Sequence, residues 1–367
     1  MNVAEQIVGQ LVDAGVHRIY GIVGDSLNPI VDAVRKTGGS KKGGIDWIHV
    51  RHEEAAAFAA SAEAQLTGKL AVCAGSCGPG NLHLINGLYD ANRTGAPVLA
   101  IASHIPSVQI GSMYFQETHP DRIFEECSVY NELISSAAQS PRTVNSAIRH
   151  AVGLGGVSVI TLPGDVSDLK AVEHVPTYAP ARPATLAPNA TDIEEAAALL
   201  NKADKVAIFA GAGVEGAHDE VIALADALKA PIGHTLRGKH FIQYDNPFDV
   251  GMTGLLGYGA AAEGMNDADV LILLGTDFPY DQFLPSTPTI QVDTHAEKLG
   301  RRTDVGLAIH AQVKPFIEAL MPHLRQDRSD SFLKRKLKKH AEIMHAPVGA
   351  YTRNVEKMHP IHPEYAA

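Results

Sequence analysis

Trp47-Ile48-His49-Val50-Arg51-His52-Glu53-Glu54-Ala55-Ala56-Ala57 runs an apolar strand directly into an Ala-rich helix, read over Glu54 to Gln65. A carboxylate at the end of a buried strand is costly to ionise. Such a group suits a proton shared with a heteroaromatic ring nitrogen. The same strand-and-helix rhythm continues on both sides. Upstream, Val3, Ile7, Val8, Leu11 and Val12 share one face of an opening helix. A strand follows near 18–22, and Pro29 after Ser26 and Asn28 marks the first turn of the next helix. Strands are expected near 46–50, 69–74, 97–102 and 157–162. The later ones are nearly continuous in apolar residues, as parallel strands buried on both faces must be. This alternation predicts a doubly wound, mostly parallel α/β sheet.

Residues 174–190 break the rhythm. Pro176, Pro180, Pro183 and Pro188 among Ala and Thr read as an extended linker. A second doubly wound α/β unit follows. Its first helix opens at Thr191-Asp192 with Glu194 and Glu195 in the first turn. Its strands are expected at 205–210, 231–235, 270–275 and 289–293, and its last helix from Ala311 to Leu320. Beyond Arg325 the chain turns basic, with Lys334, Arg335, Lys336, Lys338 and Lys339 between Ser331 and His340. This reads as a solvated helix face in a linker, with contact to an anionic membrane as the sharper alternative. The expected organisation is residues 1–173, a linker 174–190, residues 191–325, and a second linker 326–367.

The 367 residues carry a formal charge of −10, which argues against nucleic acid as a partner. No apolar run approaches the roughly 18 residues of a membrane helix. Met1-Asn2-Val3-Ala4-Glu5-Gln6 is no secretory signal. Three cysteines, Cys73, Cys77 and Cys127, do not make a disulfide framework, and Cys73-x3-Cys77 lacks a second ligand pair for zinc. Cys73 is expected to pack as a small apolar residue in a strand. A reducing cytoplasm fits these features.

Four further segments accompany the His-Glu-Glu stretch. They are Gly21-Ile22-Val23-Gly24-Asp25-Ser26-Leu27-Asn28, Ala71 through Ser76-Cys77-Gly78-Pro79-Gly80-Asn81, Ser103-His104-Ile105-Pro106, and Phe115-Gln116-Glu117-Thr118-His119-Pro120. In this order they closely resemble thiamine-diphosphate enzymes of the quinone-dependent pyruvate dehydrogenase (pyruvate oxidase) branch, and the resemblance extends over essentially the whole chain. It implies that Glu53 holds the pyrimidine ring of the cofactor and that Gly24, Asp25, Gly78, Pro79, Gly80 and Asn81 line the thiamine side. It places Phe115 as an apolar wall and Gln116 as a hydrogen-bonding group in the substrate pocket of a neighbouring subunit. Glycine admits positive φ and close backbone approach to a flat ring. His104 and His119 are left as structural histidines.

In the second unit, Val206 to Ala210 ends in Gly211-Ala212-Gly213, a weak dinucleotide fingerprint by itself. Thr235-Leu236-Arg237-Gly238-Lys239, Gly251-Met252-Thr253-Gly254, Gly275-Thr276-Asp277-Phe278-Pro279 and the strand-end Asp293 resemble the FAD-holding segments of flavin-containing relatives. Some members of the family keep this unit without flavin or use it for ADP. By resemblance the reaction is pyruvate, quinone and water to acetate, carbon dioxide and quinol, with thiamine diphosphate, FAD and Mg2+ as cofactors. The partners expected are pyruvate, a membrane quinone and further copies of the chain in a dimer or tetramer, cytoplasmic but peripheral to the membrane. Two other readings stay open: a flavin-containing carboligase of the acetolactate synthase type, and a non-catalytic FAD-binding scaffold. The family's Gly-Asp-Gly metal segment is not found, and neither Gly24-Asp25-Ser26 nor Gly164-Asp165-Val166 substitutes for it. Ile361-His362-Pro363-Glu364-Tyr365 matches the opening of the family's third, diphosphate-binding domain. The expectation is therefore a partial enzyme with that domain and its metal site absent.

Overall fold

The computed structural model describes residues 1–173, 179, 184–352, 357 and 359, with residues 346–352 as backbone. Pro176, Pro180, Pro183 and the segment 361–365 lie outside the described residues. The chain divides into two compact units, Met1–Arg182 and Pro183–Ala367.

The described residues of the first unit form a six-stranded sheet of β1 (Arg18–Gly21), β2 (Asp46–His49), β3 (Ala71–Gly75), β4 (Val98–His104), β5 (Tyr130–Leu133) and β6 (Val157–Pro163). Its order is β2-β1-β3-β4-β6-β5, and every pairing is parallel. The helices are α1 (Val3–Asp13), α2 (Asn28–Lys36), α3 (Glu53–Thr67), α4 (Pro79–Thr94), α5 (Pro120–Ile123), α6 (Ser140–Leu154) and α7 (Gly164–Asp168). The core strands β3, β4 and β6 are buried throughout, which is why their sequences are apolar runs. One apolar cluster packs α1, α2 and α6 against one side of the sheet, with Ile7, Leu11, Ile30 and Ile148 fully or almost fully buried. A second cluster contains the Ala-rich face of α3 with Leu84 and Leu88 of α4. Strand order reverses between β1 and β3, so the loops after those two strands open a crevice at their carboxyl ends.

The composition of α3 follows from its fit to α4. Ala56, Ala57, Ala60 and Ala64 are buried, and a Cβ on Gly87 of α4 would stand 2.6 Å from Ala57 Cβ and 2.7 Å from the backbone N of Phe58. Small residues bring the helix backbones close. Polar contacts then set their register, Asn86 Nδ2 to Glu54 Oε1 at 2.7 Å and Ser61 Oγ to Asp90 Oδ2 at 2.9 Å. Gly87→Ala tests this. Alanine gains up to about 1 kcal/mol of helix propensity, but overpacking against a backbone atom costs roughly 1–3 kcal/mol. The expected net result is a lower urea midpoint for the first unit. A raised midpoint would show that the helices separate without penalty.

The second unit carries a sheet ordered β10-β9-β8-β7-β11-β12-β13 among the described residues. Its strands are β7 (Val206–Ala210), β8 (Ile232–His234), β9 (Asp249–Met252), β10 (Tyr258–Gly259), β11 (Val270–Leu274), β12 (Thr289–Asp293) and β13 (Leu307–His310). All pairings are parallel except β9 with β10. The helices are α8 (Ala190–Lys202), α9 (His218–Leu228), α10 (Leu236–Ile242), α11 (Ala261–Asn266), α12 (Val313–Leu320) and α13 (Ser331–Thr352). Its order reverses between β7 and β11.

The stretch from 326 read as a linker differs from that expectation. Helix α13 exposes Lys334, Arg335, Lys338 and Lys339 but buries Phe332, Leu333 and Lys336. Lys336 Nζ lies 2.7 Å from Glu263 Oε1, in the first turn of α11, and 2.5 Å from Asp267 Oδ2, at its C-cap. The long lysine stem crosses apolar surface to reach two half-exposed carboxylates. This helix is thereby packed onto the second unit. No helix among the described residues is long and apolar enough to cross a membrane.

Candidate active site

Glu53 is the first residue of α3 and is 8% exposed. His52 precedes it in extended conformation and caps the helix, its Nδ1 accepting from the Glu54 backbone N–H at 3.3 Å. The two oxygens of Glu53 have different surroundings. Oε2 lies 3.0 Å from His83 Nδ1, on the first turns of α4. Oε1 lies 3.2 Å from the position a Cβ on Gly80 would take. Glycine at 80 thus leaves open the approach to Oε1. Glu54 points to Asn86 instead, as an outward-facing neighbour should.

The turn before α4 is built for close approach. Gly78 has φ +70°, and a Cβ there would press within 3.1 Å of Gln116. Pro79 opens the helix. Asn81 is fully buried, its Nδ2 donating to the Ser103 carbonyl at 2.7 Å. Gly24 sits against Ser76, where a Cβ would come within 2.4 Å of its Oγ. Ser26 binds these loops together. Its Oγ pairs with Ser76 Oγ at 2.9 Å and accepts from the Cys77 backbone N–H at 3.0 Å, and its carbonyl accepts from Ser103 Oγ at 2.6 Å. The crevice between β1 and β3 is therefore a fixed hydrogen-bonded frame.

Beside it is a cavity of about 510 Å³ whose walls include Asp25, Ser26, Cys77, His104, Gln116 and Asp165. Burial pushes the His104 imidazole below its usual value, which favours the neutral ring. Phe115 is 82% exposed, tilted against Tyr114 at 5.2 Å between ring centres. Gln116 is half-buried against Gly78. All three cysteines are free and buried, and desolvation pushes Cys73 up to about 12 and Cys127 up to about 11.

In the second unit the flavin-like glycines meet one another. Gly213 N–H donates to the Gly275 carbonyl at 2.9 Å, and Gly211 N–H to Leu274 at 2.8 Å. Gly275 has φ +56°, and its Cβ would stand 2.4 Å from Gly213 Cα. Gly238 would meet the Ala210 carbonyl at 2.4 Å, and Gly251, φ +91°, the Tyr258 carbonyl at 2.4 Å. Gly254 lies against the Phe278 ring. Each glycine thus has a packing reason before any ligand is considered. Thr235 caps α10 by accepting from Gly238 N–H at 2.9 Å. Arg237 and Lys239 are exposed, with Lys239 Nζ 5.3 Å from the Tyr258 ring centre.

Met252, Thr253, Thr276 and Phe278 are buried, and Phe278 stands edge-to-face on Phe209 at 5.2 Å. Pro279 is exposed. Asp277 is held by Arg301 and Arg302, which raises Arg301 further. Asp293 ends β12 and accepts from the His295 backbone N–H at 2.9 Å. Pairing joins the loop after β11 to the end of β12, since Gly275 N–H donates to Val292 at 2.8 Å. The fold gathers Gly211, Gly213, Gly275 and Asp293 at the carboxyl ends of the adjacent strands β7, β11 and β12, whereas Phe278 belongs to the core.

Sequence reading missed His83, Ser26's cross-links and Ser76. Ser26 was legible only as a helix start. Nothing in the local pattern around His83 signals its contact with Glu53.

Two doubly wound, mostly parallel units, each with glycine-rich loops at its strand reversal, the first framing a buried carboxylate, define the class of α/β protein. The chain belongs to the thiamine pyrophosphate enzyme family. Residues 1–123 match the thiamine pyrophosphate enzyme N-terminal TPP binding domain, and residues 193–320 match the thiamine pyrophosphate enzyme central domain. An uncharacterized 42.6 kDa protein of Pseudomonas amyloderamosa is 53% identical over 335 residues, covering 90% of this chain and 83% of that protein. The putative thiamine pyrophosphate-containing protein YdaP of Bacillus subtilis is 38% identical over 334 residues, 90% of this chain and 57% of its own length. The pyruvate oxidase of Lactiplantibacillus plantarum is 32% identical over 326 residues, 86% of this chain and 53% of its own length. The chain therefore spans little more than half the length of the last two. Acetolactate synthase large subunits are also similar.

Proposed function

We propose that the chain contributes the thiamine-binding and flavin-binding units of a pyruvate:quinone oxidoreductase, in which pyruvate, quinone and water give acetate, carbon dioxide and quinol. The observation that carries this reading is the buried Glu53 carboxylate, with Oε2 engaged by His83 and Oε1 opened by Gly80. The pyruvate oxidase relative and the Ser103-His104-Ile105-Pro106 and Phe115 to Pro120 segments support the branch.

Thiamine diphosphate, when bound, supplies the electron sink for decarboxylation, and FAD a two-electron acceptor. With the cofactor bound, Glu53 would share a proton between Oε1 and the pyrimidine ring nitrogen, and its burial would keep water from competing for it. His83 fixes the other oxygen and so the plane of the carboxylate. Gly24, Gly78 and Gly80 admit the ring, while Asp25 and Asn81 belong to the surrounding frame. Arg237 and Lys239 supply positive charge toward a pyrophosphate, and Asp293 suits a ribose hydroxyl. Phe115, exposed together with Met113 and Val108, reaches a second copy of the chain, and Gln116 follows it toward the substrate. Magnesium belongs with the diphosphate, held by residues other than those named.

A carboligase of the acetolactate synthase type is the second reading, favoured by the acetolactate synthase relatives. It would use the same Glu53 and yield acetolactate without quinol. The test is FAD absorbance under anaerobic conditions with pyruvate, thiamine diphosphate and magnesium. Because the chain spans 53% of the pyruvate oxidase, bound flavin that stays oxidised is expected for this chain alone. Addition of a separately made segment equivalent to the relative's remaining length should then bleach it. A chain that binds no flavin would sink the oxidoreductase reading.

A further inference from the structure

We propose that His52, Glu53 and His83 form a binding site for a zinc-class divalent cation at the mouth of the thiamine crevice. One ring nitrogen from each histidine and one carboxylate oxygen lie within 4.8 Å of one another. The donors, two imidazoles and a carboxylate, match the ligand types and number of an open zinc site, which leaves its fourth position to water. This is not the oxygen-rich coordination that magnesium takes. Ligand atoms around one zinc ion stand roughly 3.3 Å apart. His83 Nδ1 and Glu53 Oε2 are already 3.0 Å apart, sharing a proton that a cation would replace.

The two rings are stacked, with centres 4.3 Å apart and planes at 26°. Both side chains are about half exposed, at 50% for His52 and 44% for His83, so they can turn the remaining distance without disturbing the core. The Glu53 carboxylate provides the fixed anchor at 10% side-chain exposure. The frame beneath is rigid, because Gly87 on Ala57 and Asn86 on Glu54 hold α3 and α4 in register. Glu54 Oε2 stands 3.8 Å from His52 Nδ1. Binding a cation through the other nitrogen would move the ring proton to Nδ1 and give up its cap to the Glu54 N–H, and Glu54 Oε2 would become that proton's partner only by closing in from 3.8 Å.

The site itself does not depend on thiamine chemistry. Its consequence does rest on that reading: the cation competes for the carboxylate assigned to the pyrimidine ring, so zinc would act as an inhibitor at Glu53.

Cobalt(II) titration of the metal-free full chain tests the site, since tetrahedral Co2+ absorbs visibly and strongly. The expected result is one equivalent giving this spectrum, reversed by Zn2+. His83→Asn and Glu53→Gln should each weaken Co2+ by at least the roughly 10–100-fold that loss of an outer-shell partner costs. His52→Asn keeps a good helix cap and should weaken it similarly. The chain has 18 histidines in all. A tetrahedral spectrum surviving all three substitutions, or none in the parent chain, overturns the proposal. A spectrum lost in the variants leaves the cation site standing whatever becomes of the thiamine reading, which thiazolium C2 exchange in the assembled enzyme tests separately.

Discussion

Glu53→Gln is expected to keep the fold and slow thiamine activation by about 10²–10⁴-fold, the usual scale for losing a placed acid–base group. Glutamine has the shape of glutamate, and its amide oxygen can still accept from His83 Nδ1 in the Oε2 position. Burial of a neutral amide is also less costly than burial of a carboxylate. Urea stability should therefore change by less than about 1 kcal/mol. The amide cannot exchange a proton at the Oε1 position beside Gly80, so the ring loses its partner even though the space is filled. Deuterium exchange at the thiazolium C2 of thiamine diphosphate, measured by NMR in the assembled enzyme, reads this directly. Exchange at the parent rate with a folded variant would remove Glu53 from the chemistry. Glu53→Asp separates charge from reach: it stays ionisable but draws back by one methylene, and should be nearly as slow.

The legibility of this chain in its sequence follows burial. β3, β4 and β6 are buried on both faces, so each appears as an apolar run. The edge strand β5, Tyr130–Leu133, has only partly buried or exposed residues and no such run. β13 alternates buried and exposed residues and borders only β12, and β10 is two residues long. Short edge strands take their form from neighbours distant in sequence, which local periodicity cannot report. The same limit applies at the site. Glu53 was legible because strand, glutamate and helix are contiguous. Its contact with His83 is set by how closely α3 approaches α4, through Ala57 and Gly87. The basic run in α13 was legible as a solvated helix face, which Lys334, Arg335, Lys338 and Lys339 form, but Lys336 matches them in type and only the fold supplies Glu263 and Asp267 beneath it.

Gly275→Ala should destabilise the second unit by about 2–5 kcal/mol, combining left-handed backbone strain with overpacking. The added Cβ would stand 2.4, 2.6 and 2.9 Å from Gly213 Cα, C and N. All three are backbone atoms, so no side chain can rotate away. Gly216→Ala is the control, because Gly216 has φ +70° with nothing within 4 Å of the new Cβ. It carries strain alone and should cost roughly 1–2 kcal/mol. Urea unfolding followed with a probe in each unit should show the first unit unchanged, since its apolar clusters are its own. Equal losses for the two variants would sink the packing account of the Gly-x-Gly turn. The comparison also separates two reasons for the same glycines. If they serve mainly close approach to a pyrophosphate, Gly275→Ala loses flavin affinity while stability falls no further than in Gly216→Ala. If they serve the meeting of the loops after β7 and β11, stability falls first and flavin is lost as a consequence. The backbone contact between Gly213 and Gly275 favours the second order of events. A turn that must already be glycine for packing is available to a dinucleotide without further change, so a Gly-x-Gly after a strand is weak evidence for a bound cofactor.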